Sequence, residues 1–158
     1  MLDYFDMSQS RQLAKRKAEL ERAGYQVTYW PFVYAADYLP LLGNTTVQTN
    51  VTIDGDAPFI WCAATFSAFS TAGAPQTAPN ILIRMRPETI QRELMNNQVH
   101  LISVFGTGER PHLLYVPLEL PAKSVLSVEG DSETATDINL RLSFIGVKVF
   151  MRRVARAA

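Results

Sequence analysis

The residues whose types and spacing could do chemistry are few. His100 and His112 flank an expected hairpin and could face each other across it. Two imidazoles with no third acid or thiol at matched spacing do not make a metal site, so each reads as a strand residue. Cys62 lies beside Trp61 in an apolar run. A nucleophilic thiol needs a base or a positive neighbour, and a buried cysteine otherwise behaves as a small hydrophobe. Asp54-Gly55-Asp56 offers carboxylates to a cation. It lacks the further oxygen ligands and terminal acid of a calcium loop, and reads as a turn. Gly106-Thr107-Gly108 is the glycine-rich turn of the chain. A phosphate cradle needs a following helix and usually a lysine. Here Pro111 and an apolar strand follow, so the segment reads as a β-turn, with Arg110 as a surface contact. Glu88, Glu93, Glu119 and Glu129 show no pairing that would make a glycosidase dyad. We therefore expect no catalytic, cofactor-binding or metal-ligating set and no cofactor. Catalytic residues drawn from separate strands leave no local motif, so an enzyme stays open as a minor reading.

The composition sets the frame for these residues. The chain has 158 residues, is 47% hydrophobic and 19% charged, and balances 15 basic against 15 acidic side chains. That length suits one domain able to bury a core without staples. Hydrophobicity is too high, and net charge too low, for a disordered chain. One cysteine excludes a disulfide framework. No apolar run approaches the roughly 18 residues of a membrane helix, and the acidic start MLDYFDMSQS does not resemble a signal peptide. A soluble protein made in a reducing compartment is expected, with no membrane partner. Charge is uneven, with Arg11, Lys15, Arg16, Lys17 and Arg22 near one end and Lys148, Arg152, Arg153 and Arg156 at the other. Such basic ends could solubilise the chain, or meet an acidic protein groove or nucleic-acid phosphates.

Residues 8–23 read as the long helix, capped by Ser8 or Ser10, striped with Leu13, Ala14, Lys17, Leu20 and Ala23, and stopped by Gly24. The thin stripe predicts a helix lying on a surface or against a neighbouring subunit. Residues 25–43 are rich in aromatics, with Tyr25, Tyr29, Trp30, Phe32, Tyr34 and Tyr38 broken by Pro31 and Pro40. They read as an extended segment, either an arm that docks on another subunit or a cover over the chain's own sheet.

From residue 44 the period changes to two. Strands are expected at 46–53, 59–66, 80–86, 99–105, 112–116, 124–129 and 137–150, and Leu118–Leu120 between Pro117 and Pro121 reads as an edge. A short helix or a loop is expected at 88–98, and a mobile loop at 67–80. The strand phase slips at Ile145-Gly146, where a bulge is expected. Short strands separated by turn residues read as an antiparallel sandwich or barrel.

These turns and strand ends carry a resemblance. Ile53-Asp54-Gly55-Asp56-Ala57-Pro58-Phe59, Phe105-Gly106-Thr107-Gly108-Glu109-Arg110-Pro111, the stretch from Val116 to Pro121, Lys123 to Val128, and Leu140-x-Leu142-x-Phe144-x-Gly146-Val147-Lys148 follow one another over about residues 47–149. Together they resemble small β-sandwich virion proteins of tailed bacteriophages, of the collar, head-decoration or tail-associated kind. The resemblance implies a non-enzymatic assembly part present in many copies, and it transfers no catalytic residues. The chain is then expected to be mainly β, a jelly-roll-like antiparallel sandwich with an N-terminal helix and an extended aromatic arm. Its expected parts are a helix and docking arm at 1–43, a sandwich at 44–150 and a basic tail at 151–158. The expected assembly interface is Tyr29, Trp30, Phe32, Tyr34, Tyr38, Arg152, Arg153 and Arg156. Partners would be further copies of the chain and other virion proteins such as portal, capsid or connector. Location would be the virion, after synthesis in the host cytoplasm, and direct DNA contact through the basic tail stays open. The alternative is a carbohydrate- or receptor-binding sandwich presenting Trp30 or Trp61, of which Trp61 reads as buried.

Overall fold

Alternation of apolar and polar residues produces strands that each bury one face, and two such sheets must cover one another. A computed structural model describes residues 7–88 and 94–154. It has a helix α1 (Met7–Arg22) and eight strands: β1 (Tyr25–Leu41), β2 (Thr46–Thr52), β3 (Phe59–Ser70), β4 (Ile81–Pro87), β5 (Val99–His100), β6 (His112–Leu120), β7 (Val125–Ser132) and β8 (Ile138–Arg153). A single helical turn, α2 (Leu101–Val104), lies between β5 and β6. One sheet has the order β1-β8-β3-β6 and the other β2-β7-β4-β5. The pairs β1·β8, β2·β7, β3·β6 and β4·β5 are those of a chain folded once upon itself. Rolling that double ribbon brings β8 beside β3 and β7 beside β4. The result is an antiparallel β-sandwich with jelly-roll topology.

Two clusters hold the layers. Between the sheets lie Tyr34, Tyr38, Phe59, Trp61, Ile83, Phe105, Leu140 and Phe144, among others. Trp61, Phe144 and Phe105 meet edge to face at 5.1 and 5.7 Å, a favoured aromatic geometry. A smaller cluster on the outer face of the first sheet joins Leu13 and Leu20 of α1 to Val27, Ile60, Cys62, Val147 and Val149. The helix thus covers its own sheet. Its buried face runs through Gln9, Leu13 and Leu20, while Ala14 and Ala23 of the expected stripe are exposed. Gly24 ends it at φ 89°, the left-handed region glycine enters freely.

Several expectations change here. The segment at 25–43 is neither a docking arm nor a cover over the sheet but, through Tyr25–Leu41, the longest described strand, and it pairs with β8 from Tyr25↔Arg153 to Leu41↔Ile138. The expected division at 43/44 therefore falls inside the sandwich, since Tyr34, Ala36, Tyr38 and Leu41 belong to the central core. β1 is an edge strand, where Pro31 and Pro40 forfeit no ladder bond that a central strand would need. The expected tail at 151–158 begins as the last residues of β8.

The bulge expected in β8 lies in β3. Trp61 faces Gly146 and Ala63 faces Ile145, leaving Cys62 as the extra residue. Even-numbered residues of β8 stay on the inner face throughout; Val147 and Val149 are buried because α1 covers the outer face. Strand β6 bulges opposite, its partners jumping from Leu118 to Leu113. Gln9 of α1 bridges the disturbance, donating to the Cys62 carbonyl at 2.7 Å and the Leu114 carbonyl at 2.9 Å.

The strand expected at 99–105 is a two-residue strand followed by α2, and β3 extends to Ser70 into the expected loop. His100 and His112 lie in different sheets and do not face each other. The expected helix at 88–98 falls partly on 89–93, outside the described residues, and 94–98 is irregular.

Candidate interaction surface

The end of the sandwich where α1 stops and β8 finishes gathers the residues of most interest. There β1 and β8 form a ribbon, with Thr28 opposite Phe150 and Trp30 opposite Lys148. Outward residues Val27, Tyr29, Val147 and Val149 pack under α1, and the Tyr29 hydroxyl donates to the Leu13 carbonyl at 2.9 Å. Burial raises the Tyr29 hydroxyl pKa. The other face of the ribbon carries Gln26, Thr28, Trp30, Phe32, Lys148, Phe150 and Arg152.

Lys148 is the pivot of that face. It is 5% exposed, an unusual state for a lysine. Its Nζ sits 2.7 Å from Asp54 Oδ2, 3.1 Å from both Asp56 carboxylate oxygens, and 4.1 Å from the centre of the Phe32 ring. Burial pulls the ammonium pKa down, but its hydrogen bonds to Asp54 and Asp56 outweigh that and the net shift is upward. Asp54 in turn is held below its usual range, first by the hydrogen bond from Lys148. Tyr34 completes the cluster: its hydroxyl donates to Asp54 Oδ2 at 3.2 Å and accepts from the Asp54 backbone N–H at 3.0 Å. The Asp-Gly-Asp turn is thus pinned to the ribbon by a buried cation. The isolated motif at 54–56 gave no sign of this, because its partner lies 92 residues along the chain. Alternation in β8 places Lys148 on the inner face and is the signal that could have found it.

Beyond Lys148 the ribbon's inner face is uncovered. Trp30 is 62% exposed and Phe150 38%, and Met151, paired with Val27 on the other face, and Val154, just beyond the strand, are exposed as well. Beside them Gln26, Thr28, Asp56, Phe150, Met151 and Arg152 line a shallow depression. On the opposite flank the β6 bulge thrusts out Tyr115 and Val116. Below it a groove floored by Trp61 and Met85 runs between the sheets.

The structure divides the expected interface residues. Trp30, Arg152 and Arg153 are all exposed toward the ribbon end, but only Trp30 and Arg152 share a face, separated by the Thr28–Phe150 pair, and Arg153 lies on the other. Tyr34 and Tyr38 are core residues, and the Tyr38 hydroxyl donates to the Val128 carbonyl at 2.8 Å. Phe32 packs half-buried against the core beneath Lys148, and Tyr29 is held under α1. These four rings serve the chain's own body because alternation along β1 turns Phe32, Tyr34 and Tyr38 into the sandwich. Arg156 lies outside the described residues. Sequence reasoning passed over Phe150, Met151, Tyr115 and Val116, which read as ordinary strand residues until the cover over each face is known. Cys62 is buried, and burial pushes its thiol up to about 12. Among the described residues no group of three His, Cys, Asp or Glu side chains is placed to hold a metal ion.

Comparison with protein-family models, with curated proteins and with solved structures gives no match to this chain.

Proposed function

We propose that the chain is a non-enzymatic structural component of a tailed-phage virion, assembling in many copies on the head, the portal or collar, or the tail. The carrying observation is the exposed ribbon end, where Trp30, Phe150 and Arg152 share one face while Met151 and Arg153 are exposed on the other. Aromatic residues, methionine and arginine are enriched at protein interfaces, and buried aromatics commonly dominate their affinity. The pinned Asp-Gly-Asp turn gives this end a preorganised margin, which lowers the entropic cost of association. The jelly roll supports the reading by fold analogy, since the architecture serves viral capsids among other uses. Partners are further copies of the chain and neighbouring portal, capsid or connector proteins.

The test is the solution mass of the chain by sedimentation, alone and with portal or capsid protein. The reading expects complexes that Trp30→Ser weakens while the melting temperature stays unchanged, because the ring is outside the core. A chain that forms no complex with itself or with virion proteins would end it. The alternative, a glycan-binding module, draws on the exposed Trp30 and on the depression lined by Thr28, Asp56 and Arg152 on the same ribbon, and lectin domains also use the jelly roll. Glycan binding that Trp30→Ser abolishes, in a chain that does not assemble, would favour that alternative.

A further inference from the structure

Among the described residues the sandwich has four edge strands, and three carry features that oppose pairing with another chain. β1 contains Pro31 and Pro40, β6 contains Pro117 and a bulge, and β5 is two residues long. Prolines, bulges and shortness are the usual protections of a sheet edge. β2, Thr46-Val47-Gln48-Thr49-Asn50-Val51-Thr52, has none of them. It carries no charge, no proline and no glycine, and its register with β7 is unbroken.

The ladder shows which backbone groups face outward. At the two ends of the pairing, the Ser132 N–H donates to the Thr45 carbonyl and the Ile53 N–H donates to the Ser124 carbonyl. Odd-numbered residues of β2 therefore bond to β7, and by alternation Thr46, Gln48, Asn50 and Thr52 direct their N–H and C=O groups away from the sheet. Their side chains are exposed as well.

We propose that β2 pairs antiparallel with β2 of a second copy of this chain, about a two-fold axis at Thr49. That register sets Thr46 opposite Thr52 and Gln48 opposite Asn50, so every outward N–H meets an outward C=O. It places no charge against a like charge and no proline in the new ladder, so β2 is complementary to itself, the condition that a two-fold interface between copies sets. Threonine pairs across strands are favourable, and the two sheets become one that is continuous across a closed two-fold dimer. This surface lies apart from the ribbon end, so the proposal stands without the virion reading, and substitutions at the two places succeed or fail separately.

Proline at an outward position is the selective probe. Asn50→Pro deletes an N–H that β7 does not use and should leave the β2–β7 ladder intact. The proposal expects a dimer by sedimentation at roughly 100 μM, a concentration that populates any dimer of low-micromolar affinity. It expects Asn50→Pro to weaken dimerisation by about tenfold or more while the circular dichroism spectrum is retained. Thr49→Cys should cross-link the dimer on oxidation, because residues facing each other at a non-hydrogen-bonded position come within disulfide reach. The native Cys62 is buried and does not compete. A chain that stays monomeric, a dimer indifferent to Asn50→Pro, or a Thr49→Cys dimer that does not cross-link would overturn the proposal. So would preferential binding of an unrelated extended peptide along β2.

Discussion

Replacing Lys148 with methionine isolates what the buried ammonium contributes. The methionine stem keeps the packing against Phe32 and removes only the charge. Lost are the hydrogen bonds at 2.7 Å to Asp54 and 3.1 Å to Asp56, and the cation over the Phe32 ring. A hydrogen bond to a charged group is worth about 1.5–3 kcal/mol net, and removing one member of a buried pair costs about 3–5 kcal/mol. Here the two carboxylates are 53% and 48% exposed, so water takes up part of their solvation once the lysine is gone. The expected loss is therefore about 2 kcal/mol, below the buried-pair range. For a domain of this length that is a fall of about 4–8 °C in Tm.

The pH dependence sharpens the test. Asp54 has a folded-state pKa below its usual 3.8, so its stabilisation is present above that value and is lost as pH falls through the lowered one. Lys148 has a folded-state pKa above its usual 10.5, so its share is fully present below 10.5 and is lost progressively as pH rises from there through the raised value. The gap in Tm between wild type and Lys148→Met should be widest across the neutral range and should narrow below about pH 3.8 and above about pH 10.5. Differential scanning calorimetry from pH 3 to pH 11 measures it. A methionine variant as stable as the wild type at pH 7, or a gap that does not change with pH, would refute the argument.

Gly146→Ala should destabilise the fold by about 1–3 kcal/mol or more, read by urea unfolding, because added bulk there is not relieved by a rotamer change. A Cβ at that position would run into the Ile60 carbonyl and the Phe59 ring, on the strand that already carries the Cys62 bulge. Cys62, with its thiol pushed up to about 12 by burial, should resist a thiol reagent at pH 8 in the native state and react once urea unfolds the chain. Mass spectrometry after a short pulse of iodoacetamide distinguishes the two.

Much of the fold was legible as period. The strands expected at 46–53, 80–86, 124–129 and 137–150 emerge as Thr46–Thr52, Ile81–Pro87, Val125–Ser132 and Ile138–Arg153, the last two running three residues into the expected loop and tail, and the helix at 8–23 ends at Arg22 before its glycine stop. The short strand and turn at 99–104 were misread as one strand, since a brief apolar run does not distinguish a strand from a helical turn. The aromatic run at 25–43 carried strand alternation at Phe32, Tyr34, Ala36 and Tyr38, but its two prolines argued for an irregular segment. Only an edge position makes those prolines harmless, and edge position is a property of the whole sheet. The same limit explains β8, whose apparent phase slip reflects a helix lying across its outer face.

What the sequence determined alone was local: which segments alternate, where glycine and proline interrupt them, and that two sheets must share an apolar interior. The tertiary structure decided which face of each strand receives a second cover, and so which rings are core and which are surface. It also joined Lys148 to the Asp-Gly-Asp turn and left β2 as the unprotected edge. Both depend on contacts between residues far apart in the chain, where period and propensity carry no information.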